Sequence, residues 1–213
     1  MEFYSRLGFR IAPDTGSGEV GHVVVSDGRI SIGLWAQGID RPTLVFVRSN
    51  LDRYVSLIRS LGVTIDAVTI GEESFNSLDG RMPNGVGIRL VEAITHSPQP
   101  EGPSRLGWFT EVGFHRSAGR AEVWQELGLV ALDLSDETPP KVAVISDSLN
   151  LSFYPDTEFG DFWLCFECHD LRSTATDLTH VGVEYSYTES SLGLGSLLVT
   201  APEGTRLVLC QSA

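Results

Sequence analysis

The chain has 213 residues, 42% of them hydrophobic, enough for two packed cores, and no apolar run approaches the length of a membrane span. Its formal net charge of −13 argues against nucleic acid, which needs a basic surface, but is compatible with a cationic small ligand. Met1 leads straight into an amphipathic segment with no leader pattern, so a cytoplasmic protein is expected.

In chain order, Glu2 to Gly8 reads as the end of a helix, with Phe3, Tyr4 and Leu7 as its apolar stripe. Arg10–Ile11 and a Gly-rich turn at Thr15 to Gly18 follow. A hairpin comes next, its arms His22–Val25 and Arg29–Trp35 joined across Asp27-Gly28. Arg41 to Ile65 reads as strand, helix, strand. Asn50 is the expected cap, Leu51, Tyr54, Val55, Ile58 and Leu61 the stripe, and Gly62 the stop. A polar, Gly-rich excursion runs from Gly71 to Gly85. Residues 96–105 read as a linker, because three prolines crowd into His96 to Ser104. A strand from Gly107 to Val112 and a helix ending at Leu127 open the next stretch. Phe162 to Tyr185 repeats strand, helix, strand, with Asp170 as cap, Leu171, Ala175 and Leu178 as stripe, and Gly182 as stop.

These segments repeat. Asn50 and Asp170 are 120 residues apart, as are Gly62 and Gly182. F-Y-S-R-L-G-F at Phe3 matches V-W-Q-E-L-G-L at Val123, and V-S-D-G at Val25 matches I-S-D-S at Ile145, at the same offset. P-N-G-V-G-I-R-L at Pro83 matches P-E-G-T-R-L-V-L at Pro202 with an offset of 119. The expectation is an α+β chain of four βαβββ modules, two in a domain at 1–95 and two in a domain at 106–213. Shifted back by the repeat, the counterpart of the Gly107–Val112 strand falls ahead of Met1. The first module is therefore expected to lack its opening strand, and unpaired edges are a liability.

Paired βαβββ modules, with F-Y-x-x-L-G-F early and P-x-G-x-x-I-x-L closing, resemble the vicinal oxygen chelate superfamily. That superfamily includes glyoxalase I, bleomycin-resistance proteins, fosfomycin-resistance enzymes and extradiol dioxygenases. The resemblance implies curled sheets with helices outside and a cup inside. It also implies, for metal-dependent members, His or Gln inward on the opening strands and Glu inward on the closing ones. Here those positions hold Thr43, Phe109 and Trp163, then Gly33, Arg89, Ser152 (or Asn150) and Val208. None suits a divalent metal, so no metal or other cofactor is expected.

Strand alternation assigns the cup linings. The second cup takes Phe109, Glu111, Asn150, Ser152, Tyr154, Trp163, Cys165, Glu167, Arg206, Val208 and Cys210, and Cys168 faces the opposite way from Cys165, against a shared metal or disulfide. The first takes Ser31, Gly33, Trp35, Thr43, Val45, Val47, Arg89 and Val91. Ligand-binding candidates are Trp35, Thr43 and Arg89 in the first, and Phe109, Glu111, Tyr154, Trp163, Glu167 and Arg206 in the second. Glu111 or Glu167 would be a base, or simply pair with Arg206; no catalytic residue is assigned. The competing reading is a cup filled by its own bulky side chains. His22 faces either way. The expected function is metal-independent binding of a small organic molecule, a cationic one and a homodimeric assembly being left as options. The alternative is an enzyme of the superfamily: a lyase, isomerase or dioxygenase.

Overall fold

Alternation in T-L-V-F-V sends Leu44 and Phe46 to a buried face and leaves Val45 and Val47 exposed, and the same period organises every sheet of the computed structural model. The described residues are 1–13, 22–36, 41–71, 76–83, 85–92, 104–115, 121–136, 140–155, 157, 159–189 and 195–212. The first half holds α1 (Glu2–Arg6), β1 (Arg10–Ile11), β2 (His22–Ser26), β3 (Ser31–Trp35), β4 (Thr43–Val47), α2 (Leu51–Ser60), β5 (Thr64–Thr69), β6 (Ser77–Arg81) and β7 (Gly87–Val91). The second holds β8 (Trp108–His115), α3 (Ala121–Glu126), β9 (Val130–Leu134), β10 (Lys141–Ile145), β11 (Asn150–Tyr154), β12 (Phe162–Cys168), α4 (Leu171–His180), β13 (Ser186–Glu189), β14 (Gly195–Thr200) and β15 (Arg206–Gln211). No described helix is long and apolar enough to cross a membrane.

Three modules share one topology. The opening strand lies parallel to the closing one, as β4 to β7, β8 to β11 and β12 to β15, and a hairpin extends the sheet. In the second half, β8 pairs antiparallel with β12 and fuses two modules into one eight-stranded sheet. The first half has a three-stranded sheet, β1-β2-β3, and a four-stranded one, β4-β7-β6-β5. Among the described residues nothing pairs with the outer edges of β3 and β4.

Local signals work in most places. Asp170 Oδ1 accepts from the Arg172 N–H at 2.9 Å and caps α4. Asn50 stands at the start of α2 but in a left-handed conformation (φ +57°), and its side chain makes no capping bond. A capping side chain reaches the first turn from extended backbone, which Asp170 has and Asn50 lacks. The excursion expected between Gly71 and Gly85 contains β6, with Leu78 fully buried. The hairpins correspond at an offset of 119. Asp27 Oδ1 accepts from Arg29 N and Ile30 N, and Ser146 Oγ accepts from Leu149 N. Asp27 thus holds the place of Ser146, one residue away from the V-S-D-G/I-S-D-S alignment. The Gly-rich turn at 15–18 and the linker residues 96–103 lie outside the described residues.

One hydrophobic core runs through both halves. Phe9 of the first module meets Phe166 of the fourth, edge to face at 6.3 Å, and Phe46 of the second meets Trp124 of the third at 6.5 Å. Arg105 N–H donates to Leu7 O, and the Arg48 guanidinium donates to Leu127 O. Leu7 and Leu127 are 120 residues apart, as are Phe46 and Phe166. The repeat is therefore realised as an approximate two-fold, first module on fourth and second on third.

Candidate functional site

Glu111 is the centre of the second cup. It projects from β8, flanked by Ser152 on β11 and Cys165 on β12. Lys141 Nζ, from β10, donates to Glu111 Oε2 at 2.8 Å, and Ser152 Oγ donates to the same oxygen at 2.6 Å. Tyr154 O–H donates to Oε1. Lys141 Nζ also stands 5.5 Å over the Tyr154 ring. The carboxylate is thus tied down on both oxygens by residues from two neighbouring strands. Burial, and next the Glu111 charge, pushes the Tyr154 hydroxyl well above its ordinary range, so it remains an O–H donor.

The cysteines of this cup are thiols. Burial raises Cys165 well above its usual value, and burial followed by the Glu111 charge lifts Cys210 to about 11. Cys168 faces the helix-side core, as alternation requires, and burial raises it too. All three cysteines are free.

The end of the cup near Trp163 is closed. Trp163 is 2% exposed and packs on Tyr154 (5.5 Å) and Phe159 (5.7 Å), with Val208 beneath. It lies across Gly113, where any Cβ would collide with the indole. Trp163, one of the ligand-binding candidates from the sequence, is therefore a wall already covered by its neighbours. The other end is open and apolar. On β9, Leu132 pairs with Ala143, which pairs with Ser152, so Leu132 shares the face of Glu111. Leu132 and Val130 are both exposed, the latter at 59%.

Three expected members stand elsewhere. Phe109 does not enter the cup. The β8–β12 register slips between Cys165 and Phe166, so Cys165 faces Glu111 while Phe166 faces Phe109. This bulge spends Thr110, whose Oγ1 donates to Cys165 O, and turns Phe109 into the helix-side core against Phe166 at 5.7 Å. Glu167 shares the Cys165 face but is exposed. Arg206 does not pair with Glu111; its guanidinium lies against Gly160, and Lys141 takes that role. Lys141 was legible in principle: alternation from Ser152 across to Ala143 places it on the cup face.

In the first half, Trp35 and Arg89 come together. The Arg89 guanidinium stands 5.3 Å from the Trp35 ring, whose other partner is His22, stacked at 4.4 Å. Arg89 also approaches Asp79 at 3.2 Å. Thr43 donates to Arg41 O and packs on Gly87.

The second cup does not fit a divalent metal. Its one carboxylate is engaged by Lys141, Ser152 and Tyr154, and Val208 offers no donor. Among the described residues no group of three or more His, Cys, Asp or Glu is placed to hold one.

No family model and no curated protein matches the sequence. Solved structures do. A catechol 2,3-dioxygenase aligns at 14% identity and TM-score 0.55, covering 98% of this chain and 81% of that one. An extradiol ring-cleaving dioxygenase from B. fuscum aligns at 12% identity and TM-score 0.65, covering 99% and 67%. The 2,2',3-trihydroxybiphenyl 1,2-dioxygenase of Sphingomonas wittichii strain RW1 aligns at 14% and 0.54, covering 99% and 83%. At such identities the likeness is one of fold: the chain has the curled, mixed-sheet α+β fold of the vicinal oxygen chelate proteins, over its whole length.

Proposed function

We propose that the second cup takes up a small organic molecule and that the chain acts on it as a metal-independent enzyme of this fold, by acid–base chemistry centred on Glu111. The observation that carries the reading is the carboxylate on the cup floor, held by Lys141, Ser152 and Tyr154 beside an exposed apolar lip. A substrate with an apolar body would rest on Val130 and Leu132. Its carbonyl or hydroxyl oxygen would take a hydrogen bond from the Lys141 ammonium or the Tyr154 hydroxyl, leaving Glu111 to accept a proton from the adjacent carbon. Isomerisation or elimination at such a carbon needs no metal. Ring cleavage, the activity that the names of the similar structures carry, is not supported by these side chains. A cationic ligand is not favoured either, because the Glu111 charge is met within the chain by Lys141.

A second reading is binding without turnover. It is favoured by the same hydrogen bonds, since a base with both oxygens engaged must release a donor before it accepts a proton. Metal-stripped protein incubated in D2O with a panel of small aryl α-hydroxyketones and followed by NMR separates the two. Deuterium entering the carbon next to the carbonyl, with a loss of about 10²–10⁴-fold in Glu111→Gln, supports the enzyme. Saturable binding with no exchange in either protein supports the binding module. Exchange that needs added iron and survives Glu111→Gln overturns both.

A further inference from the structure

We propose that Trp108, Arg29 and Glu167 form a binding site for a free α-amino acid with an apolar side chain. The site lies at the rim of the second cup, apart from the Glu111 cluster. Trp108 pairs across the ladder with Glu167, and Glu167 shares the face of Cys165, so the indole projects to the cup side.

Both halves of the chain hold this platform. Gly107 has a left-handed φ of +99°, and a Cβ there would strike the Glu167 carbonyl, so β8 begins pressed against β12. Gly107 N–H donates to Ser104 O and closes a turn just ahead of Trp108. Arg29 arrives from the turn between β2 and β3, where the buried Asp27 carboxylate accepts its backbone N–H at 2.9 Å. The Arg29 guanidinium stands 4.4 Å from the centre of the Trp108 ring. Even with that contact Trp108 stays 44% exposed, a large apolar surface on a backbone fixed just before it.

The charges that border the indole decide the occupant. The chain has 28 acidic residues against 15 Lys and Arg. Even so, among the described residues the Arg29 guanidinium meets no carboxylate and the Glu167 carboxylate meets no cation, and both side chains are exposed. They flank one ring without pairing with each other. A guanidinium packed on an aromatic ring still offers its donor fork to a carboxylate. A simple anion would answer Arg29 and be repelled by Glu167; a simple cation would meet the reverse. A zwitterion carries both complementary charges on a single carbon. Its carboxylate answers Arg29, its ammonium answers Glu167, and its apolar side chain covers the exposed indole.

The probe is L-phenylalanine, titrated into the full chain and read by saturation-transfer NMR on the ligand. Saturable binding is expected, and its loss in Trp108→Ala. N-acetyl-L-phenylalanine, which lacks the ammonium, and L-phenylalaninamide, which lacks the carboxylate, should each bind about fivefold more weakly. The two penalties should separate by residue: Glu167→Gln removes the cost of acetylation, and Arg29→Gln removes the cost of amidation. All three side chains are exposed, and thermal midpoints of the variants separate loss of the site from loss of the fold. Glu111→Gln should leave the titration as it is. No saturable binding, or penalties that neither charge variant removes, overturns the proposal. So does binding that Glu111→Gln abolishes and Trp108→Ala keeps, since the ligand then sits in the cup.

Discussion

Glu111 on β8 and Lys141 on β10 stand 30 residues apart in the chain and 2.8 Å apart in space, although β11 lies between the strands that carry them. The lysine reaches over β11, and Ser152 on that strand bonds the same carboxylate oxygen, so one site ties three strands together. The pair is largely but not fully covered, its side chains 23% and 13% exposed, which places it between a surface ion pair and a core one.

Lys141→Met should cost about 1–3 kcal/mol, because it leaves a half-buried acceptor with one donor fewer. Urea unfolding measures it. Glu111→Gln combined with Lys141→Met should be less destabilising than the sum of the single changes. A coupling below about 0.5 kcal/mol would mean the pair is screened like any surface contact and does not organise the site.

Gly113→Ala should destabilise the chain by about 1–3 kcal/mol, since the new methyl displaces the Trp163 indole from a packed position. Near-ultraviolet circular dichroism should report a changed tryptophan environment in the same variant. If Trp163→Phe is combined with it, the smaller ring should recover part of the loss. Full stability in Gly113→Ala alone would show that the indole does not lie across β8.

Alkaline pH should weaken the fold through the cup thiols. Cys210 ionises near 9.0 when unfolded and at about 11 when folded, so its stabilising contribution is complete below 9 and is lost as pH rises towards 11. Cys165 and Tyr154 are shifted in the same direction and add to the effect. Thermal midpoints measured from pH 8 to 11 should fall, and Cys210→Ser should flatten part of the fall. Alkylation by iodoacetamide at pH 8 should be slow in the native protein and fast in urea; equal rates would contradict buried, protonated thiols.

The amino-acid sequence by itself determined the four-module plan and the opposite facing of Cys165 and Cys168. Those features depend on periodicity and on the 120-residue repeat, which are properties of neighbouring residues and survive without knowledge of the fold. Tertiary structure decided what strand pairing decides. A single extra residue at Thr110 reversed Phe109 from cup to core, because in a strand every one-residue slip exchanges the two faces. Glu111 found its cation on β10 and not at Arg206, because the reach of a lysine across a neighbouring strand depends on sheet order. Asn50, the sequence equivalent of a working cap, failed as one because its backbone turned left-handed. Trp163 became a wall because Gly113, 50 residues earlier, leaves the room that its ring fills.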